Sequence, residues 1–141
     1  MQEIHPDRLW LGNALTLRDS RTLFDVGIAA VVDLAIEEPP AQLPRQLAYL
    51  RIPLNDGGGN KPSLLAHAIQ ITLDLLQSET STLIVCSAGL SRSPTIASFA
   101  LAALQDDDPE QMLNKIAAVT PTAIHRILWS DVAGAFSGVR R

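Results

Sequence analysis

The chain has 141 residues, 47% of them hydrophobic and 18% charged, with a formal net charge of −4 and one cysteine. That composition excludes a disordered chain and suits a single packed domain over residues 1–141. The acidic balance argues against nucleic acid as a partner, the lone cysteine excludes an internal disulfide, and no apolar run approaches the ~20 residues needed to cross a bilayer.

In chain order, Arg8–Leu11 reads as a strand, and Ser20–Asp25 as a short helix closed by Gly27. Ala29–Leu34 reads as a second strand, followed by an irregular proline-rich stretch, Glu37–Pro44. Tyr49–Pro53 is the next strand and leads into Asn55-Asp56-Gly57-Gly58-Gly59-Asn60, a flexible turn ahead of Pro62. The spacing of Leu65, Ile69, Leu73 and Leu76 predicts an amphipathic helix over Ser63–Gln77. Leu83–Val85 is an apolar strand, and Pro94–Leu104 an alanine- and leucine-rich helix that is apolar nearly all round. Asp106-Asp107-Asp108 supplies an N-cap for a helix over Pro109–Val119. A last helix is expected over Pro121–Phe136, with Ile124, Ile127, Leu128 and Val132 facing inward. Strands alternating with helices imply an α/β sheet covered on both faces, with ligands at the carboxyl ends of its strands.

The cysteine lies where this pattern places such a site. Val85-Cys86-Ser87-Ala88-Gly89-Leu90-Ser91-Arg92-Ser93-Pro94 joins the apolar strand to the apolar helix. Backbone N–H groups at a helix start have no partners within the helix and favour negative charge. A tight loop through Ser87, Ala88, Gly89, Leu90 and Ser91 can offer successive N–H donors to a tetrahedral oxyanion. Arg92 adds a planar fork for two oxygens. The same field favours the thiolate form of Cys86, a nucleophile for in-line attack on phosphorus. The hydroxyl of Ser93 stands where it can donate to the sulfur as it leaves. A lone cysteine is otherwise most often a buried apolar thiol. An inert thiol would give Gly89, Arg92, Ser93 and Pro94 no reason to gather around it.

Expelling an alkoxide or phenolate at neutral pH needs a proton donor. Asp56, on a glycine-rich turn after a strand, is the candidate. The same residues also describe a plain turn in which Asp56 makes an Asx-type hydrogen bond.

The Cys86–Pro94 segment resembles the signature loop of the cysteine-dependent protein tyrosine phosphatases, and Ala88-Gly89 with Ser91-Arg92-Ser93-Pro94 is most similar to their dual-specificity branch. Leu9–Asn13, Val26–Leu34 and Ile52–Asp56 resemble further segments of that branch. The resemblance implies a three-layer α/β domain with a mostly parallel central sheet of four or five strands flanked by helices. It implies Cys86 as nucleophile, Asp56 as general acid and then base, and Arg92 with the loop amides as phosphate ligands. One position departs: the family usually has histidine directly before the cysteine, and this chain has Val85.

The expected substrates are phosphotyrosine together with phosphoserine or phosphothreonine in proteins, with a small-molecule or lipid phosphoester as the alternative. A loop without lysine or histidine between Cys86 and Arg92 offers little to additional phosphates. No cofactor or metal is implied, since His5, His67 and His125 have no ligating spacing. No leader is evident in the first residues, and the cytoplasm is the expected location. Two other classes are a weakly catalytic phosphate-binding module, through Val85, and a rhodanese-like sulfur enzyme. The latter needs neither the Arg92-Ser93-Pro94 exit nor an acidic loop.

Overall fold

The computed structural model describes residues 1–141. Five strands form one mixed sheet: β1 (Gln2–His5), β2 (Leu9–Asn13), β3 (Ala30–Ala35), β4 (Ala48–Leu54) and β5 (Thr82–Cys86). The order is β1-β2-β5-β3-β4. Only the edge strand β1 runs antiparallel, against β2. The other pairings are parallel. The five helices are α1 (Ser20–Val26), α2 (Pro62–Gln77), α3 (Arg92–Gln105), α4 (Pro109–Ala117) and α5 (Arg126–Ala135).

Alternation along β3 and β5 divides the interior between the two faces of the sheet. Val31, Leu83 and Val85 pack with Trp10, Leu17, Leu23 and Ile28 under α1. Val32, Leu34, Ile84 and Cys86 face the larger cluster, with Leu65 and Ile69 of α2, Ile96 and Phe99 of α3, Met112 of α4 and Leu128 of α5. Three layers result, with α1 on one side and α2 to α5 on the other. Every residue of α3 from Arg92 to Ala103 is buried, which accounts for a helix apolar nearly all round.

The centre of the sheet positions the loop of interest. β5 lies between β2 and β3, with Cys86 opposite Asn13 and Val85 opposite Asp33. The turn after Cys86 therefore opens at the carboxyl edge of three parallel strands.

Three expectations change. β1 was not anticipated, and the next strand starts at Leu9 and runs on to Asn13. The last helix begins at Arg126, because the backbone before it bonds elsewhere: Ala123 N–H donates to Leu90 O at 2.8 Å and His125 N–H to Ser91 Oγ at 3.0 Å. Consequently Ile124 lies outside the helix and Ile127 is 55% exposed, while Leu128 and Val132 are buried as expected.

Candidate active site

Cys86 ends β5 and is 2% exposed. Its Sγ lies 3.2 Å from Ser93 Oγ, a fully buried hydroxyl on the first turn of α3. The loop between them is tightly folded. Gly89 has φ +77°, and a Cβ there would sit 2.8 Å from Gly12 O, so the loop needs glycine both for its backbone angle and for its approach to β2. Ala14 N–H donates to Ser87 O at 3.1 Å, fastening the loop to the residue after β2.

Arg92 is 4% exposed and held from outside the loop. Its Nη1 donates to Glu37 Oε1 at 2.6 Å and to Leu54 O at 2.8 Å, and its Nη2 donates to Glu37 Oε2 at 2.6 Å. A guanidinium carries five N–H donors. Those three bonds leave Nε–H, which has no protein acceptor, and the second hydrogen of Nη2. These two lie along one edge of the plane, the side away from Cδ, and form a second fork. Glu37 thus fixes the guanidinium end-on and leaves a side-on pair of donors. Burial pulls the Arg92 pKa down, but the hydrogen bonds and charge of Glu37, with Cys86 and Asp56 adding to them, outweigh it and raise the pKa above its ordinary value. The bonds from Arg92 hold the Glu37 carboxyl below its usual range, against a smaller opposing effect of burial.

The neighbouring carboxylate does parallel work. Glu38 Oε2 accepts from Ser87 Oγ at 2.9 Å, so adjacent residues brace both ends of the loop. Their own segment is anchored from the sheet. Tyr49 Oη donates to Asp33 Oδ2 at 2.5 Å and accepts from Ala41 N–H at 2.9 Å. Arg51 Nη2 donates to Glu38 O at 2.6 Å and Ala35 O at 3.1 Å. Burial first, then the bond to Asp33, raises the Tyr49 pKa above its ordinary value.

Asp56 is exposed and makes no hydrogen bond of its own. The expected flexible turn around it is braced instead. Asn60 Oδ1 accepts from Asn55 N–H at 2.8 Å, while Asn60 Nδ2 donates to Asn55 O at 3.0 Å and Gly57 O at 3.3 Å. Gly57, at φ +148°, lies against the His125 ring, with Nε2 3.3 Å from where a Cβ would stand. His125 is itself fixed, since its Nδ1 accepts from Ile127 N–H at 3.2 Å and caps α5. One residue thus touches both the Asp56 turn and, through Ser91, the Cys86 loop.

Asp56, Cys86, Ala88, Leu90, Ser91 and Arg92 line one cavity of about 220 Å³, closed on a further side by Ala123. Ser93 lies beneath the sulfur, Ser87 turns its side chain to Glu38, and Gly89 packs against β2. Glu37, Glu38 and Asn60 were not singled out from the sequence. The first two carry no local signal; they stand just past β3, which flanks β5, at the carboxyl edge where side chains collect.

No family model and no curated protein sequence matches the chain. Solved structures do. Human DUSP28 superposes with a TM-score of 0.85 at 18% identity, over 98% of this chain and 96% of that one. PTPMT1 in complex with PI(5)P gives 0.74 at 17% identity, over 97% and 94%. The human tyrosine phosphatase-like serine/threonine/tyrosine-interacting protein gives 0.80 at 18% identity, over 97% and 95%. The chain has the fold of the dual-specificity phosphatases.

Proposed function

We propose that this protein is a phosphatase that hydrolyses phosphate monoesters through a cysteinyl-phosphate. The Cys86 thiolate attacks phosphorus in line, and the bond to the leaving oxygen breaks as Asp56 transfers its proton to that oxygen. The loop amides and the side-on donors of Arg92 hold the equatorial oxygens as charge builds. In the second half, the Asp56 carboxylate takes a proton from water, the water oxygen bonds phosphorus, and the sulfur leaves with Ser93 Oγ donating to it. Protons and charge balance with no co-reactant beyond water. The substrates are phosphotyrosine and phosphoserine or phosphothreonine of proteins.

The observation that carries the reading is Arg92 clamped by Glu37 with two donors uncommitted, in a cavity shared with Cys86 and Asp56. Arg51, a structural anchor, also leaves its Nε unpaired, so what sets Arg92 apart is that it lines the cavity with Cys86 and Asp56. Phosphate release from an aryl phosphate by wild type and by Cys86→Ser tests it: equal rates would overturn the reading.

Val85 favours a second reading, a phosphate-binding module with slow turnover. It is 1% exposed within the apolar cluster under α1 and offers no hydrogen bond to the loop. In that case phosphate binds but Cys86→Ser changes little in turnover.

A further inference from the structure

Asp56 has to bring a proton to the leaving oxygen, yet its side chain is exposed and bonded to nothing. The carboxylate therefore stands wherever the backbone of its turn puts it. Gly57, Gly58 and Gly59 make that backbone costly to order. Asn60 braces the turn from within, through its bonds to Asn55 and Gly57. Those bonds set the shape of the turn but tie it to nothing on the side of Cys86.

The tie from outside is His125. Gly57 is buried, although Asp56 and Gly58 on either side of it are exposed. A Cβ on Gly57 would stand 3.3 Å from His125 Nε2, 3.5 Å from Cε1 and 3.7 Å from Cδ2, so the outer edge of the imidazole lies on the glycine backbone. Ile127 Cγ2 comes within 3.2 Å of where a Gly58 Cβ would be. His125 is otherwise exposed, and the bonds around it hold it in place. Its Nδ1 accepts from Ile127 N–H at 3.2 Å, its carbonyl accepts from Trp129 N–H at 3.1 Å, and its own N–H donates to Ser91 Oγ at 3.0 Å. Two residues earlier, Ala123 N–H donates to Leu90 O at 2.8 Å. The segment from Ala123 to Ile127 is thus a strap, bonded to the Cys86 loop and packed on the Asp56 turn. Its bonds to the loop come from the backbone, and its contacts with the turn come from side chains. A substitution at residue 125 therefore releases the turn and leaves the loop fastened.

We infer that His125 is a positioning residue for the general acid: its ring, held in register with the Cys86 loop, sets where the Asp56 carboxylate stands over the cavity. The inference rests on the phosphatase reading above and adds to it a residue that acts through the turn and not on the substrate.

Two substitutions separate the ring from the cap of α5. His125→Ser keeps a capping oxygen and removes the ring, whereas His125→Phe keeps a ring and removes the acceptor. Two esters separate the acid from the nucleophile. Phenyl phosphate has a poor leaving group that needs a proton, and an aryl phosphate of a strongly acidic phenol needs one less. His125→Ser is expected to lower kcat/KM for phenyl phosphate about tenfold, because displacing a reacting group by about 1 Å costs up to ~10²-fold. For the second ester the loss should be about twofold or less. Alkylation of Cys86 by iodoacetate should proceed as in wild type. His125→Phe should regain most of the phenyl phosphate activity while unfolding at lower denaturant. In an Asp56→Asn background, His125→Ser should bring no further loss.

Undiminished phenyl phosphate turnover by the serine variant overturns the inference. So does an equal loss on both esters, a full further loss in the Asp56→Asn background, or no recovery with phenylalanine. If wild type turns over no ester, the phosphatase reading fails by itself, and the hold of the ring is read from amide ¹⁵N relaxation. Lower order parameters at Gly57 and Gly58 in the serine variant would sustain it, and unchanged ones would overturn it.

Discussion

Replacing Glu37 by glutamine separates two opposite views of the carboxylate that grips Arg92. If Glu37 competes with phosphate, removing its charge frees the guanidinium and tightens anion binding. If it aims the side-on donors, removing it weakens binding and turnover together. The geometry supports the second view, because two 2.6 Å bonds engage the end-on fork and leave Nε–H uncommitted. Glutamine keeps one acceptor for Arg92 and turns the other into a donor facing a donor, so one charge-assisted bond is lost. Such bonds contribute about 1.5–3 kcal/mol. Glu37 is 50% exposed, so screening argues for the lower end, ~1.5 kcal/mol. Expressed in the transition state, that is a roughly tenfold fall in kcat/KM for an aryl phosphate. Vanadate or phosphate should bind more weakly by a similar factor in a competitive inhibition assay. Stability supplies a second readout. The folded pKa of Glu37 lies below its ordinary value of 4.5. Its ion pair therefore stabilises the fold above that value and is lost as pH falls through the depressed one. The gap in unfolding free energy between wild type and Glu37→Gln should be constant at neutral pH and close on acidification below about 4.5. Tighter vanadate binding by the variant would refute the positioning argument.

Other outcomes follow from particular contacts. Asp56→Asn should lower kcat by about 10²–10³ while alkylation of Cys86 by iodoacetate proceeds as in wild type; a normal kcat would remove Asp56 from proton transfer. Val85→His places an imidazole in the apolar cluster under α1, beside the strand partner Asp33. It should cost about 1–3 kcal/mol in denaturant unfolding, and an unchanged midpoint would mean the site tolerates a polar ring. Tyr49→Phe removes the phenol that joins buried Asp33 to Ala41 N–H. A loss of about 1–3 kcal/mol is expected, with a smaller fall in kcat/KM as the Glu37-Glu38 segment loosens; full stability would argue against the anchor.

The strand, loop and helix around Cys86 were legible because their signals are local: a β-branched run, small residues, then an alanine-rich helix. Asp56 was legible for the same reason, as a carboxylate on a glycine-rich turn after a strand. The Glu37–Arg92 clamp joins residues 55 apart in sequence, and nothing in the Glu37–Pro44 stretch announces it without knowing that β3 flanks β5. β1 escaped notice because Gln2–His5 is short, lies at the edge and buries no residue fully. The residues before Arg126 looked helical, yet their N–H groups are drawn to Leu90 and Ser91. Local preference there yields to a tertiary contact with the very loop the sequence picked out. Asn60 shows the reverse case, a residue that reads as ordinary turn chemistry but stiffens the turn through three side-chain bonds.

The most direct test is rapid quenching of the wild-type protein with an aryl phosphate in the first turnover, followed by peptide mass spectrometry. A single phosphoryl group on the peptide containing Cys86, acid-labile and missing from Cys86→Ser protein, is the expected result. Phosphate release with no phosphoryl group on Cys86 at any time point, or undiminished release from the serine variant, would contradict it.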